Sequence, residues 1–324
     1  MDIERIVLKN YKSIYEVELV KPNRFSVFVG PNAAGKSNFF EGLEFFNTLR
    51  GAYSAITVSQ YGGKAEVIHK NFPDENLYFG IKLVGEQESA IILQIHDDTG
   101  IGSDETHSRF FGEKYAKFYS NFSRIFPGKA DKDRLRLNDD QKLSFAGGNL
   151  EKVLKRLLSD ELIKSEIEEW LDVFIPGYDH IEIAWDGISG KGELRFHEQS
   201  LMIPIGKSLI SDGTFNLLCI LAAVYQKNDE PQFLLIEEPE NGINPKVQRE
   251  LVKFFRHQCE EKGHYIWLNT HSQTIVSELT TDEIILVDKV KGETRTKQVK
   301  GMNLHGLRMD EALLTNAIGG GIPW

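Results

Sequence analysis

The chain has 324 residues, 41% hydrophobic and 27% charged, enough to bury a large core as one big domain or as a domain with an insertion. Its formal net charge of -10 argues against a protein that coats nucleic acid nonspecifically, because that binding is driven by cationic side chains. Two cysteines without metal spacing make neither a disulfide framework nor a zinc site, the charged start MDIERIVLKNYKS lacks a secretory apolar core, and no apolar run approaches the roughly 20 residues of a membrane span, so a cytoplasmic chain without membrane contact is expected.

In chain order, Ile3–Leu8 reads as a strand, Tyr15–Leu19 as a half-buried strand alternating apolar and charged, and Phe25–Val29 as a short apolar strand ending at Gly30. A glycine-rich loop and a helix from Lys36 to Arg50 follow. Leu77–Leu83 and Ala90–His96 read as paired strands across a polar turn. From Asp104 the pattern turns helical, with Phe110, Phe111, Tyr115, Phe118, Tyr119, Phe122 and Phe126 at helical spacing, a stripe that reads as core packing. Lys129, Lys132, Arg134 and Arg136 make a local basic stretch, but Asp131 and Asp133 interleave with it as on a solvated face. Leu150–Phe174 is a second helical stretch. His180–Trp185 and Glu193–His197 read as a hairpin, Ser211–Tyr225 as a turn leading into an apolar helix, Gln232–Ile236 and Tyr265–Asn269 as buried strands flanking the amphipathic helix Lys246–Lys262, and Glu283–Asp288 as a last strand. Strands alternating with helices predict an α/β fold with a largely parallel sheet in this part. The pattern divides the chain into an N-terminal lobe (1–103), a mainly helical insertion (104–176), a C-terminal lobe (177–300) and a tail (301–324). The tail's closing Ile322-Pro323-Trp324 reads as a frayed end or a docking anchor.

Four motifs carry chemistry. Gly30-Pro31-Asn32-Ala33-Ala34-Gly35-Lys36-Ser37 matches G-x-x-x-x-G-K-[ST] in full, between a buried strand and a helix. Such a loop cradles phosphate oxygens with backbone N–H groups at a helix N-terminus; Lys36 reaches the β- and γ-phosphates and the Ser37 hydroxyl ligates Mg²⁺. At the end of the strand Phe233–Ile236 stand Glu237 and Glu238, the first placed to hold magnesium through water or directly, the second to polarise an attacking water as general base. His271 ends the strand Tyr265–Asn269 and its TH step, where a histidine can touch the γ-phosphate or the water. Ser211, Asp212 and Gly213 open a long helix, an N-cap that also suits a second phosphate contact.

In this order the four motifs resemble ATP-binding-cassette ATPases of the SMC, RecF and OLD-nuclease branch, and within it the stand-alone bacterial AAA-type ATPases. The opening Ile3–Ser13 is similar to that branch's start, Glu237–Pro245 to its extended Walker B and D-loop, Ile210–Thr214 to its signature loop, and Thr270-His271-Ser272 to its switch histidine; the likeness covers about residues 1–85 and 178–290. The resemblance implies an ABC-ATPase-type P-loop NTPase head with a mixed β-sheet. It implies that Lys12, Ser13 and Asn38 join Gly30–Ser37 in binding ATP with Mg²⁺, and that Lys36, Glu238 and His271 are catalytic. It further implies a homodimer sandwiching two ATP molecules between the Walker A of one copy and Ser211–Gly213 of the other. The usual Asp-Glu pair is here Glu237-Glu238, and Gln60 and Gln94 are the candidates for a Q-loop glutamine.

About 170 residues separate Ser37 from the signature, too few for long coiled-coil arms at a rise of about 1.5 Å per residue. A fused nuclease is not expected after residue 290. The function that the resemblance implies is an ATP-hydrolysing dimeric switch gating a separate effector, nuclease-like and tied to anti-phage defence, with nucleic acid reached through that complex. The alternatives are a nucleotide-held scaffold with little turnover and a RecF-like DNA-binding repair factor.

Overall fold

A computed structural model of the chain describes residues 2–50, 54–95, 105–109, 112–130, 139–186, 191–227, 230–304 and 306–318. Phe110 and Phe111 of the aromatic stripe, most of the basic stretch and Gly319–Trp324 lie outside the described residues. By internal contacts the chain divides into two compact units, Met1–Phe122 with Leu279–Trp324, and Ser123–Glu278.

The first unit begins with β1 (Ile3–Tyr11), β2 (Ile14–Val20), β3 (Phe25–Val29) and α1 (Lys36–Leu49), followed by the short helices α2 (Ser54–Gln60) and α3 (Lys64–Val67). Then come β4 (Leu77–Leu83), β5 (Ser89–Gln94), β6 (Glu105–Arg109) and α4 (Glu113–Ser120). An antiparallel sheet runs in the order β2-β1-β4-β5-β6. α1 is aromatic on its buried face. Phe39 and Phe40 pack on Phe28 of β3 at 5.2 and 5.1 Å between ring centroids, and Phe45 and Phe46 reach Tyr11 of β1 and Phe79 of β4 at 5.4 Å each. A side chain at residue 42 would meet Leu8 at 2.6 Å, which is why glycine stands where α1 crosses β1. This packing aims the N-terminus of α1, and the loop before it, at the end of β3.

β7 (Phe122–Ile125) crosses the boundary between the units. The second unit continues with α5 (Leu150–Leu157), α6 (Glu161–Phe174), β8 (Tyr178–Asp186), β9 (Lys191–Glu198), β10 (Ile205–Gly206), a 3-10 turn at Lys207–Leu209 and α7 (Asp212–Tyr225). It closes with β11 (Phe233–Glu237), α8 (Pro245–Glu261), β12 (Tyr265–Asn269) and α9 (Gln273–Ser277). β11 and β12 are parallel, from Phe233↔Tyr265 to Glu237↔Asn269, and both are wholly buried, which fits their unbroken apolar runs. In this unit the strands lie in the order β12-β11-β7, and β10-β9-β8 form a separate antiparallel sheet. α7 is buried nearly all round, from Asn216 to Tyr225, and Trp170 of α6 packs edge-on to Phe254 of α8 at 4.8 Å.

The chain returns to the first unit with β13 (Ile284–Val290), parallel to β3, then β14 (Glu293–Gln298), antiparallel to β13, and α10 (Met309–Leu314). Lys291 (φ 52°) and Gly292 (φ 89°) make the two-residue turn, both left-handed as a tight hairpin requires.

Two readings of the sequence need correction. The segment 104–176 is not mainly helical throughout: β6 joins β5 in the antiparallel sheet and β7 is a strand, so the aromatic spacing from Phe110 to Phe126 does not trace one helix. α4 ends at Ser120, with Asn121 its C-cap, and the run Phe122-Ser123-Arg124-Ile125 is too short and too buried for a helical face. Where described, most of the stripe is core: Tyr115, Phe118, Tyr119 and Phe122 are buried, and Phe126 is half-buried. Glu283–Asp288 is also not the last strand: β14 follows it, and α10 follows β14, with Met309, Leu313 and Ile318 buried.

Candidate functional site

The sequence-predicted residues fall into two groups, each complete within one unit. In the first unit the loop Gly30–Gly35 joins β3 to α1. Any side chain at residue 30 would sit 1.9 Å from the carbonyl oxygen of Val287 on β13. Ala33 has φ 61° and Gly35 φ 104°, so two residues of the loop, on either side of Ala34, adopt the left-handed conformation from which anion-binding loops of N–H groups are built. The Lys36 side chain is buried, and its ammonium donates to the carbonyls of Gly30 at 2.7 Å and Pro31 at 3.1 Å. Asn32 and Ser37 are exposed, and Pro31 and Asn38 half-buried.

Lys12 and Ser13 lie in the turn between β1 and β2; Lys12 is left-handed, as is Asn10 near the end of β1. Lys12 donates to Glu41 of α1 at 2.7 Å. Asn38 donates to the Ser13 hydroxyl at 2.7 Å, and that hydroxyl lies 2.7 Å from the hydroxyl of Thr294. Thr294 in turn donates to the Ala34 carbonyl at 2.8 Å, and its backbone N–H donates to the Ser13 carbonyl at 2.7 Å. A side chain at residue 35 would strike the Thr294 hydroxyl at 1.9 Å. Thr294 therefore ties the β1–β2 turn to the loop. Reading the sequence missed it, although Lys291-Gly292 followed by the alternating Glu293–Gln298 signals a hairpin.

In the second unit Glu237 ends β11 with its side chain fully buried. Arg124 of β7 donates to its Oε1 through Nε at 3.0 Å and Nη2 at 2.6 Å, and Asn269 donates to its Oε2 at 2.7 Å. Glu238 follows at φ 46°, a left-handed conformation rare for glutamate, which turns its half-buried side chain out of the strand direction. Its N–H donates to the Asn269 carbonyl at 2.7 Å, and its carboxylate accepts from Asn241 at 3.0 Å. Glu240 accepts the backbone N–H of His271 at 2.7 Å, leaving the His271 ring exposed. Burial pushes the Glu240 carboxyl above its ordinary pKa, and the N–H of His271 opposes that.

The Ser211 hydroxyl caps α7, accepting from the Thr214 N–H at 3.0 Å. Asp212 is exposed. A side chain at residue 213 would lie 2.1 Å from the Gly242 carbonyl, so the start of α7 and the loop after Glu238 touch backbone to backbone. Asn216 fastens them, donating to the carbonyls of Pro239 at 3.0 Å and Asn241 at 3.1 Å. Gln248 donates to the Ile243 carbonyl at 2.7 Å and accepts from the Ser272 hydroxyl at 2.5 Å. Ser211–Gly213, Glu237-Glu238 and His271 thus belong to one hydrogen-bonded assembly. A cleft of about 920 Å³ opens beside the start of α7, lined in part by Arg195, Lys207, Ile210, Asp212 and Phe215. Gln60 ends α2 and Gln94 ends β5.

Ser37 in the first unit offers an exposed hydroxyl of the kind magnesium takes. Glu237 in the second has Oε1 engaged by a guanidinium and Oε2 by an amide. A carboxylate has about four lone-pair directions, and magnesium keeps several of its waters, so Glu237 suits an ion held through water better than one bound directly. Among the described residues no group of three or more His, Cys, Asp or Glu side chains makes a metal site by itself, and no helix is long and apolar enough to cross a membrane.

Residues 25–277 match the family model described as AAA domain, putative AbiEii toxin, Type IV TA system. The chain belongs to this AAA domain family. Its fold is shared with solved heads of SMC proteins. One is an SMC head bound to the C-winged helix domain of ScpA, 17% identical, with a TM-score of 0.64 over 91% of this chain and 96% of that one. A second is the SMC head domain from Thermotoga maritima, 14% identical, with a TM-score of 0.52 over 93% of this chain and 100% of that one. A third, 14% identical, is an SMC head with an extended coiled coil bound to the C-terminal domain of ScpA derived from Pyrococcus furiosus, with a TM-score of 0.60 over 98% and 99%. Comparison with curated proteins finds no match. This member of the AAA domain family is an ABC-type, SMC-like ATPase in fold, as the motif order implied, with mixed parallel and antiparallel sheets.

Proposed function

We propose that the chain binds ATP with magnesium at Gly30–Ser37, hydrolyses it, and works as a dimeric switch that gates a separate, nuclease-like effector in bacterial anti-phage defence. The observation that carries the nucleotide reading is the shape of the loop. Gly30 is pressed against the Val287 carbonyl, left-handed Ala33 and Gly35 follow, and the Lys36 ammonium is held at the loop by main-chain carbonyls. An arriving triphosphate offers that ammonium stronger, charge-assisted partners than two neutral carbonyls. Backbone N–H groups and the α1 N-terminus bind its phosphates, with Lys12, Ser13 and Asn38 beside them.

Ser37 and, through water, Glu237 would hold magnesium, which supplies charge neutralisation at the phosphates when bound. Glu238 accepts the proton of the attacking water, giving ADP and inorganic phosphate. We assign the exposed His271 to the γ-phosphate, with its backbone anchored by Glu240. Ser211, Asp212 and Gly213 present an N-capped helix start to the nucleotide of a second copy, so that bound ATP favours the closed dimer by mass action. The family description names a toxin–antitoxin system, which supports a defence role. The SMC heads crystallised with ScpA are precedents for a partner protein on this fold.

Phosphate release measured for the wild type and for Glu238→Gln tests this. We expect turnover in the wild type and a loss of about 10²-fold or more in the variant, within the range for a lost general base. Equal rates in the two would remove Glu238 from the role. A second reading, a nucleotide-held scaffold with little turnover, draws on the Arg124–Glu237 pair, which occupies the carboxylate otherwise free for metal. Tight ATP binding and a stable dimer without phosphate release from the wild type would establish it instead.

A further inference from the structure

Arg124 belongs to none of the four motifs, yet it makes the closest charged contact to Glu237. The pair is deeply buried, with side-chain exposures of 6% and 0%. Two guanidinium N–H groups converge on one oxygen, at 3.0 and 2.6 Å, while Asn269 holds the other at 2.7 Å. The Phe145 ring lies 5.1 Å from the guanidinium carbon and restrains that group further. A guanidinium is permanently charged and planar, so it sets a carboxylate's direction as well as balancing its charge.

We propose that Arg124 is the positioning residue of Glu237, fixing the rotamer of that carboxylate and balancing its charge so that divalent metal enters with the nucleotide and is not captured by the protein alone. The inference rests on the nucleotide reading above. A bare cation approaching Glu237 meets the field of the guanidinium at close range. A cation chelated by a triphosphate arrives with its charge already offset and needs from Glu237 only an oriented acceptor for its water shell. A pair kept only for stability would lose Tm on Arg124→Lys without moving the magnesium dependence, whereas loss of a positioning residue moves that dependence, because lysine cannot bring two N–H groups to one oxygen from a fixed plane.

The test uses the full chain as wild type, Arg124→Lys, Arg124→Gln, and Arg124→Gln combined with Glu237→Gln. Thermal unfolding is followed without nucleotide, with and without millimolar Mg²⁺ or Mn²⁺. ATP affinity is measured without metal, and turnover across a magnesium titration. We expect a wild-type Tm indifferent to metal, an Arg124→Gln Tm that is lower and rises with either cation, and a double variant that recovers Tm and loses the metal response. Arg124→Lys should keep its metal-free ATP affinity within about threefold while kcat falls about tenfold or more and the magnesium concentration for half-maximal rate shifts, in the range seen when a partner behind a metal ligand is lost. An Arg124→Gln protein that answers metal no differently from wild type would overturn the proposal. So would an Arg124→Lys protein with wild-type kcat and magnesium dependence. If Arg124→Gln does not fold, the lysine variant decides the matter. A wild type without turnover would fault the hydrolysis reading, and the metal response of the unfolding curves would still judge Arg124.

Discussion

Gly30 shows how a single hydrogen in place of a methyl group places the loop. With the Val287 carbonyl 1.9 Å from where a β-carbon would stand, Gly30→Ala forces the backbone of either β13 or the loop to move. Overpacking of that kind costs about 1–3 kcal/mol. We expect a lower urea midpoint together with weaker ATP binding, read by denaturation and calorimetry on the same sample. The glycines of the motif were legible in the sequence, because the phosphate-loop pattern names them by spacing alone. Arg124 was not. Its only local trace is a charged residue inside the short run Phe122–Ile125, and nothing local says that the buried acid facing it is 113 residues away.

At the scale of elements, β14 and the start of β12 do work that their sequences only half announce. The Thr294 hydroxyl bridges the Ser13 hydroxyl and the Ala34 carbonyl across 260 residues of chain. Thr294→Val removes the donor to Ala34 and leaves a buried carbonyl unpaired, a cost of about 1–3 kcal/mol. ATP affinity should fall in that variant and return in Thr294→Ser; equal affinities in all three proteins would show that the bridge does not shape the loop. His264, just before β12, accepts the Gln232 N–H at 3.1 Å, and burial, with help from nearby Lys262, depresses its pKa to about 4. In the unfolded chain a histidine titrates near 6.5. The neutral ring therefore stabilises the fold fully above about pH 6.5, and that contribution is lost as pH falls towards 4, with a slope of up to about 1.4 kcal/mol per pH unit. Urea midpoints at about pH 7.5 and about pH 5 should differ more for the wild type than for His264→Asn. The buried strands and long helices here were readable from periodicity. β7 was misread because aromatic residues at helical spacing continue past the end of α4, and periodicity cannot register a change of direction; β6, Glu105–Arg109, is polar throughout and carries no apolar alternation to mark a strand.

For the whole molecule the nucleotide reading implies an ATP-dependent association. Light scattering should find the wild type shifting towards dimer when ATP and magnesium are added, and Lys36→Ala remaining as it was without nucleotide. If Lys36→Ala dimerised as readily, the triphosphate would not be what joins the copies. The sequence by itself determined the α/β character and the SMC-like motif order, and it named the loop, acidic and histidine residues as candidates. These depend on local spacing, on apolar runs and on glycines that permit particular backbone angles. Only the tertiary structure decided that Glu237 is locked to Arg124 and Asn269, that Thr294 braces the phosphate loop, and that Gly213 lies against Gly242 so that the start of α7 and the loop after Glu238 are one assembly. Each of those contacts joins segments that are well separated in the chain. Their meeting follows from which faces the packed core leaves opposite one another, a property of the folded chain that no local run of residues encodes.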